Sequence, residues 1–273
     1  MLNPSKLKGS LVALLFFASI ALALEAKKVD LIPYEKVSDD FYVLLADGYG
    51  SNVGIKVEDD GLIIVDTMLA KANQPLMMTI ESISEKPIKL VVNTHGHMDH
   101  VGNNKPLIEL GAAKLAYEEM SSNDLNIVTT HVASHSPNDL LIYFPDSNVL
   151  MMGDSFTNNW YPSFWAGGLK GQVAVIDKAL ALANEDTTIV PGHGFITDIN
   201  GLKRYKENAI SWVNRIMELH HQGLSPEDIA QDEALNNMLK KFANDVRPVK
   251  DLKRMMEHFI NKTIEIELKL SAK

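Results

Sequence analysis

The stretch NTHGHMDHVGN, residues 93–103, places three of the chain's nine histidines and an aspartate within six positions. It continues IKLVVNT, residues 88–94, an apolar run that reads as a buried strand. Side chains leaving the end of such a strand emerge at the rim of a sheet. His95 and His97 are two apart, so on extended backbone they point the same way and form a chelating pair. Asp99 and His100 come one turn later and can face a second cation. The chain has no cysteine, and imidazole and carboxylate are the ligands that zinc accepts without thiolates. A solvated histidine-rich loop is the bland alternative. The buried strand running straight into the cluster argues against it.

One cluster does not complete two sites, so further ligands are expected at other strand ends. His135 lies in ASHSPNDLLIYFP just before a strand, Asp154 in LMMGDSF just after one, and His193 in IVPGHG after another. Each taken alone is an ordinary loop histidine or turn aspartate. In this order and context they read as the remaining ligands. His131 competes with His135, but SPND followed by a strand favours His135.

A chain of 273 residues that is 46% hydrophobic has enough apolar surface for a substantial core. Its formal net charge of -9 argues against nucleic-acid binding through a basic surface. Lys6 and Lys8, the apolar run LVALLFFASIALAL and the small-residue motif ALA at 21–23 read as an export signal comprising residues 1–23. The run is short for a membrane span, which needs about 20 apolar residues. The expectation is an exported chain, periplasmic or secreted in a bacterial setting, with no stable membrane anchor after cleavage. Nothing in the sequence bears on oligomeric state.

Strands and helices alternate along the rest. Residues 41–67 read as three strands separated by DGYGSN and DDG. Residues 71–86 and 171–185 read as helices, and 105–111 as a short helix with Pro106 in its first turn and Gly111 at its end. KLAY and NIVTTHVAS read as short strands, 139–154 as a hairpin turning at PDSN, and 187–194 as a strand with a tight turn. From about 198 the chain is mostly helical. This is an α/β pattern without a glycine-rich phosphate loop.

HGHMDH, SHSPND, GDSF and PGHG, in that order, resemble the metallo-β-lactamase-fold metallo-hydrolase superfamily, in its secreted or periplasmic branch with an aspartate-bridged dinuclear site. SNVGIKVEDDGLIIVDT resembles the N-terminal strands of that fold and GLSPEDIAQDEALNNMLKKF its C-terminal region. The resemblance implies a four-layer αββα sandwich over residues 24–273, with 198–273 as a helical C-terminal part. It implies that His95, His97 and His135 hold one zinc, that Asp99, His100 and His193 hold a second, and that Asp154 bridges them. Iron and manganese also suit such ligands. A metal-bound hydroxide then serves as nucleophile in place of any protein group, and Asp99 takes up a proton from the attacking water. Asp66 either orients a ligand histidine through a hydrogen bond or caps a strand end.

The implied activity is dinuclear zinc-dependent hydrolysis of a small carbonyl-type substrate: an ester, thioester, lactone or amide, β-lactams among them. A phosphodiesterase on the same site and a non-catalytic zinc-binding accessory protein are the alternatives. Asp154 stands where the best-known β-lactamases with a three-histidine first site carry cysteine, and Thr157 where they carry the lysine that holds the drug's carboxylate. β-Lactams are therefore not the default substrate. HVGN also replaces the H-x-G-G common in thioesterases and lactonases.

NNWYPSFWAGGLKG, residues 158–171, follows Asp154 directly. Trp160, Tyr161, Phe164 and Trp165 either wall the mouth of the site or pack onto the body of the domain. Lys170 either anchors an anionic group or is a surface charge at a helix start.

Overall fold

The computed structural model describes residues 29–45, 48–114, 126–158, 160–242 and 248–272. The export-signal stretch 1–23 and the part of KLAY beyond Lys114 lie outside them. The chain divides into Met1–Leu31, whose described residues 29–31 form neither strand nor helix, and Ile32–Lys273, which carries every element that follows.

The first sheet has strands β1 (Tyr34–Lys36), β2 (Phe41–Leu44), β3 (Val53–Glu58), β4 (Gly61–Val65), β5 (Ile88–Val92) and β6 (Ala113–Lys114), hydrogen-bonded in chain order. Strands β1 to β4 pair antiparallel, whereas β5 is parallel to both β4 and β6. A parallel pair needs a crossover. Helix α1 (Asn73–Ile83) supplies it between β4 and β5, and the short helices α2 (Met98–Val101) and α3 (Asn104–Glu109) lie between β5 and β6. The second sheet contains β7 (Val128–Val132), β8 (Asp139–Phe144), β9 (Val149–Met151) and β10 (Thr188–Val190), in the order β10-β9-β8-β7. Here β10 runs parallel to β9, with α4 (Gly168–Leu182) in the crossover.

Period-two alternation divides the strand residues between two buried faces. Phe41, Val43, Ile63, Val65, Leu90 and Val92 meet Leu140, Ile142, Phe144, Val149, Met151 and Val190 between the sheets. Their neighbours Leu62, Ile64 and Val91 face outward onto Leu76 and Ile80 of α1 and Leu107 of α3. On the other side, Leu141, Leu150 and Ile189 pack on Val175, Ile176 and Ala179 of α4 and on Leu202 of α5 (Ile199–His221). The result is helix, sheet, sheet, helix. Each fully buried Leu or Ile contributes about 1.5–3 kcal/mol, so a one-residue slip in any of these strands would exchange two cores at once.

Beyond this sandwich lie α6 (Pro226–Ile229), α7 (Glu233–Phe242), α8 (Val249–Lys253) and α9 (Met256–Ser271). Trp212, Val213, Ile216 and Leu219 on the distal half of α5 recur at helical spacing. They form a separate core with Leu235 and Leu239 of α7 and Phe259 and Ile260 of α9. Asp198 caps α5 by accepting from Gly201 N at 2.7 Å, and Ser225 caps α6 ahead of Pro226. Among the described residues no helix is long and apolar enough to cross a membrane.

Candidate metal centre

β5 ends at Val92, β9 at Met151 and β10 at Val190, and each hands the chain to one part of the histidine–aspartate set. The β5 loop is held by a dense amide network. Asn93 Nδ2 and Thr67 N donate to His100 O at 2.9 and 2.8 Å. Asn104 Nδ2 donates to Asn93 Oδ1 at 2.7 Å. Asn103, the residue of HVGN that departs from the thioesterase pattern, donates through Nδ2 to Thr67 O at 2.7 Å and Leu69 O at 2.8 Å. Gly102 lies so close to this strip that an added Cβ would come 2.7 Å from the Leu69 carbonyl carbon. The chain turns after β4 through a left-handed Asp66, with φ of 61°, a conformation that aspartate tolerates better than most residues. That turn aims the carboxylate back at the loop. Asp66 Oδ1 accepts from Thr94 N at 2.8 Å, while Oδ2 accepts from Thr94 Oγ1 at 2.7 Å and lies 2.8 Å from His100 Nδ1.

Folding gathers all seven singled-out ligand candidates. His95, His97, His135 and Asp154 form one group and Asp99, His100 and His193 another, with the ligand atoms of each group within 4.8 Å of one another. His97 Nδ1 is 2.9 Å from both His95 Nε2 and His135 Nε2. Asp154 reaches both groups: Oδ1 is 3.2 Å from His100 Nε2 and from His193 Nε2, and Oδ2 is 3.5 Å from His135 Nε2. Asp99 Oδ2 is 3.2 Å from His193 Nε2. His131 is exposed on β7 and takes no part in either group. His135 donates from Nδ1 to Ser163 O at 2.9 Å, which holds the ring with Nε2 facing the cluster. Its loop is clamped by the buried Asp139, which accepts from Ser134 N at 3.1 Å and from Ser136 Oγ at 2.6 Å.

The donor set fits a divalent metal. His100 Nε2 and Asp154 Oδ1 are buried 3.2 Å apart, and among the described residues neither makes a hydrogen bond of good geometry, so only their opposite charges offset their burial. Burying such atoms is costly unless a charge satisfies them. Burial, reinforced by the neighbouring His100, pushes the His95 imidazole down to about 2 and keeps it neutral. Burial lowers His97 as well. His100 behaves oppositely: burial opposes its charge, but Asp66 and Asp154 outweigh burial and hold it well above the usual imidazole range. At His193 burial again opposes the charge, and Asp154 and Asp99 raise the ring to about 9. The bond from His193 holds Asp99 down at about 2. Burial would raise Asp154, but the two imidazoliums hold it well below the carboxylate range.

A metal must therefore displace protons from His100 and His193. Zinc uptake by metal-free protein at pH 7.5 is expected to release roughly one to two protons per chain. The release should fade as pH rises past about 9, while apparent affinity rises up to that point. Calorimetry in buffers of different ionisation enthalpy measures this. Uptake at pH 7.5 without proton release would overturn the charge assignment.

The aromatic stretch after Asp154 divides. Trp160 and Trp165 line a cavity of about 610 Å³ that also touches His135, Asp154 and His193. Tyr161 and Phe164 do not wall the mouth. Both are fully buried in the helical core, where Tyr161 stacks on Phe259 at 4.4 Å between ring centroids and donates to Leu252 O at 2.8 Å. Lys170 lies exposed on α4, outside the cavity lining. Thr157 and Ser163 add to the lining, and α9 supplies the opposite wall through His258, Phe259, Lys262 and Ile266, which no sequence motif marked. Asp139 was also missed, although its serine-rich approach, with amide and hydroxyl donors three and five residues upstream, is a local turn signature.

A family model described as the metallo-beta-lactamase superfamily matches residues 46–126, which contain His95, His97, Asp99 and His100. Among curated proteins, the chain is 21% identical over 149 residues to the probable hydroxyacylglutathione hydrolase glo2 of Schizosaccharomyces pombe, covering 48% of this chain and spanning 58% of that protein's length. Its fold is similar to that of VMB-1, with a TM-score of 0.57 and 20% identity over 67% of this chain and 99% of the other. It is also similar to DIM-1 metallo-beta-lactamase, with a TM-score of 0.54 at the same identity and coverages. The inverting sec-alkylsulfatase Pisa1 from Pseudomonas sp. gives a TM-score of 0.62 at 17% identity, over 84% of this chain and 50% of that one. The four-layer sandwich is thus similar in fold to these solved structures, and residues 46–126, which hold four of the seven gathered ligand candidates, match the metallo-beta-lactamase superfamily model.

Proposed function

We propose that the protein is a metal-dependent hydrolase that holds two zinc ions and cleaves an ester, thioester, lactone or amide bond in a small-molecule substrate. The observation that carries this reading is the position of Asp154. One carboxylate faces His100 and His193 through Oδ1 and His135 through Oδ2, as a bridge between two cations requires. When bound, the metals supply an activated water and an electrophile for the substrate's carbonyl oxygen. The chain's own groups do the rest. His95 and His97 present neutral nitrogens, and His135 turns its Nε2 toward them. Asp66 and Ser163 O fix the tautomers of His100 and His135 through their Nδ1 atoms. Asp99 is the more open of the two cluster carboxylates, its side chain 31% exposed against 11% for Asp154. It stays ionised and is the group placed to accept a proton from the attacking water at a carboxylate oxygen. Asp154 and Thr157 weigh against β-lactams as the natural substrate.

Metal analysis joined to a substrate panel at neutral pH tests the reading. The panel comprises a nitrophenyl ester, a thioester, a lactone, a cephalosporin and a phosphodiester. The expected outcome is roughly two zinc ions per chain with turnover of carbonyl substrates. In a His97→Ala variant, kcat/KM should fall at least roughly a hundredfold. Absence of metal, with no turnover after zinc is added, sinks the proposal. Cleavage of the phosphodiester alone moves the chemistry to phosphodiester hydrolysis.

Residues 1–23 we take as an export signal, motivated by the basic, apolar and small-residue succession described above. N-terminal sequencing of the protein recovered from the periplasm or medium should begin at Leu24. A cytoplasmic protein with Met1 retained would refute this.

A further inference from the structure

Helix α9 sorts its charges. His258, Lys262, Ile266, Lys269 and Leu270 recur at spacings of three or four residues and so share one stripe. These residues line two cavities that both open on the metal-ligand cluster. The larger, about 610 Å³, takes His258, Lys262 and Ile266, and the smaller, about 470 Å³, takes Ile266, Lys269 and Leu270. His135, Trp165 and Ile266 line both cavities, so a Trp165–Ile266 wall stands between them beside the cluster. The helix's acids, Glu257, Glu265 and Glu267, line neither cavity. Glu267 instead accepts from Leu169 N at 2.7 Å. A chain of net charge -9 thus turns two lysines, a histidine and apolar groups of this helix toward its site, and none of the helix's acids. The larger cavity falls within the size range for small-molecule sites, and Trp160, Trp165 and Phe259 give it flat apolar walls around Lys262.

We propose that the substrate is an anionic amphiphile whose apolar or aromatic arm lies against Trp160, Trp165 and Phe259 while its anionic group pairs with Lys262. This rests on the hydrolase reading in taking the cavity as the substrate site. Lys262 already pairs with Glu265 at 2.8 Å, with side chains 43% and 61% exposed. A pair so exposed contributes little, so an anion on the cavity side displaces it readily. An anion held against aromatic walls is less screened and gains a charge-assisted hydrogen bond.

Binding of phenylpropanesulfonate and phenylpropanol to the full, metal-loaded chain tests this without any hydrolysis. Sulfonate is a weak metal ligand, and Trp160 and Trp165 make tryptophan fluorescence the readout. The sulfonate is expected to bind about tenfold more tightly than the alcohol. Lys262→Gln should abolish that preference and leave alcohol binding unchanged. Lys262→Arg should restore it, and Glu265→Gln should tighten sulfonate binding about two- to threefold by removing the competing partner. Equal binding of the two probes to the wild type, or a preference that survives Lys262→Gln, overturns the proposal. A preference lost in His97→Ala but kept in Lys262→Gln would place the anion on the metal cluster and overturn it equally. A lysine-dependent preference in a protein that hydrolyses nothing would sink the hydrolase reading and leave this one standing.

Discussion

Replacing Asp154 by alanine is expected to lower kcat/KM by roughly two to four orders of magnitude and to abolish tight binding of at least one metal ion. The side chain faces both ligand groups, with Oδ1 toward His100 and His193 and Oδ2 toward His135. Removing one partner from a buried charge cluster costs about 3–5 kcal/mol, because the remaining charges stay buried without compensation. A Cβ at Gly192 would collide with Asp154 Oδ1 and come 2.6 Å from the Gly153 carbonyl carbon, so the carboxylate is packed directly against backbone. Asp154→Asn keeps the shape and separates charge from packing. The metal-free proteins also give a pH signature. His193 has its folded pKa raised to about 9, so its contribution to stability is complete below the ordinary imidazole value of about 6.5. It is lost as pH rises through about 9. The asparagine variant removes the main cause of that shift. Its melting temperature should fall furthest below wild type near pH 6 and converge with it above pH 9. A variant equally destabilised across that range would show that packing, not charge, is what Asp154 contributes.

What the sequence disclosed and what it hid have physical reasons. Runs such as GLIIV and DLLIYF could be recognised because their strands are buried on both faces, so almost every residue is apolar. Strand ends are equally legible, and the seven histidine and aspartate positions were marked by lying at them. Their gathering around Asp154 follows once the sheet order is fixed. The residues that shape the cavity obey no such local rule. Trp160 and Tyr161 are adjacent and chemically alike, yet the first lines the cavity and the second stacks on Phe259 in the helical core. Which of them turns outward is decided by α9, whose own sequence pattern shows only an amphipathic helix. Lys262 gains its meaning from lying beside Trp160 and Trp165, a contact made across about a hundred residues of intervening chain. The Asn103 bonds to Thr67 O and Leu69 O likewise join segments that no short-range rule connects.

Asp66→Asn is the sharper test of how the cluster is held, because it changes one proton rather than one ligand. Asp66 is buried and lies outside both ligand groups. Its two oxygens accept from Thr94 N and Thr94 Oγ1, and Oδ2 also faces His100 Nδ1 at 2.8 Å. An asparagine can keep the bond from Thr94 N only with its oxygen at the Oδ1 position. Its amide nitrogen then points at Thr94 Oγ1 and His100 Nδ1. The threonine hydroxyl can rotate to accept. The imidazole can accept only if its proton moves to Nε2, the atom facing Asp154 Oδ1 at 3.2 Å. That tautomer has no lone pair for a metal. The expected result is a 10- to 100-fold loss of zinc affinity, the range for residues that orient a ligand histidine, confined to the group of Asp99, His100 and His193. Asp66→Ala should add a loss of stability on the order of 3 kcal/mol, since buried donors of Thr94 and His100 are left unpaired. A zinc titration followed by NMR of nitrogen-labelled histidine rings separates the effects. Retention of both metals with His100 still protonated at Nδ1 in Asp66→Asn would refute the tautomer argument. Loss of fold in that variant, with Asp66→Glu recovering it, would show that the turn at φ of 61° matters more than the proton.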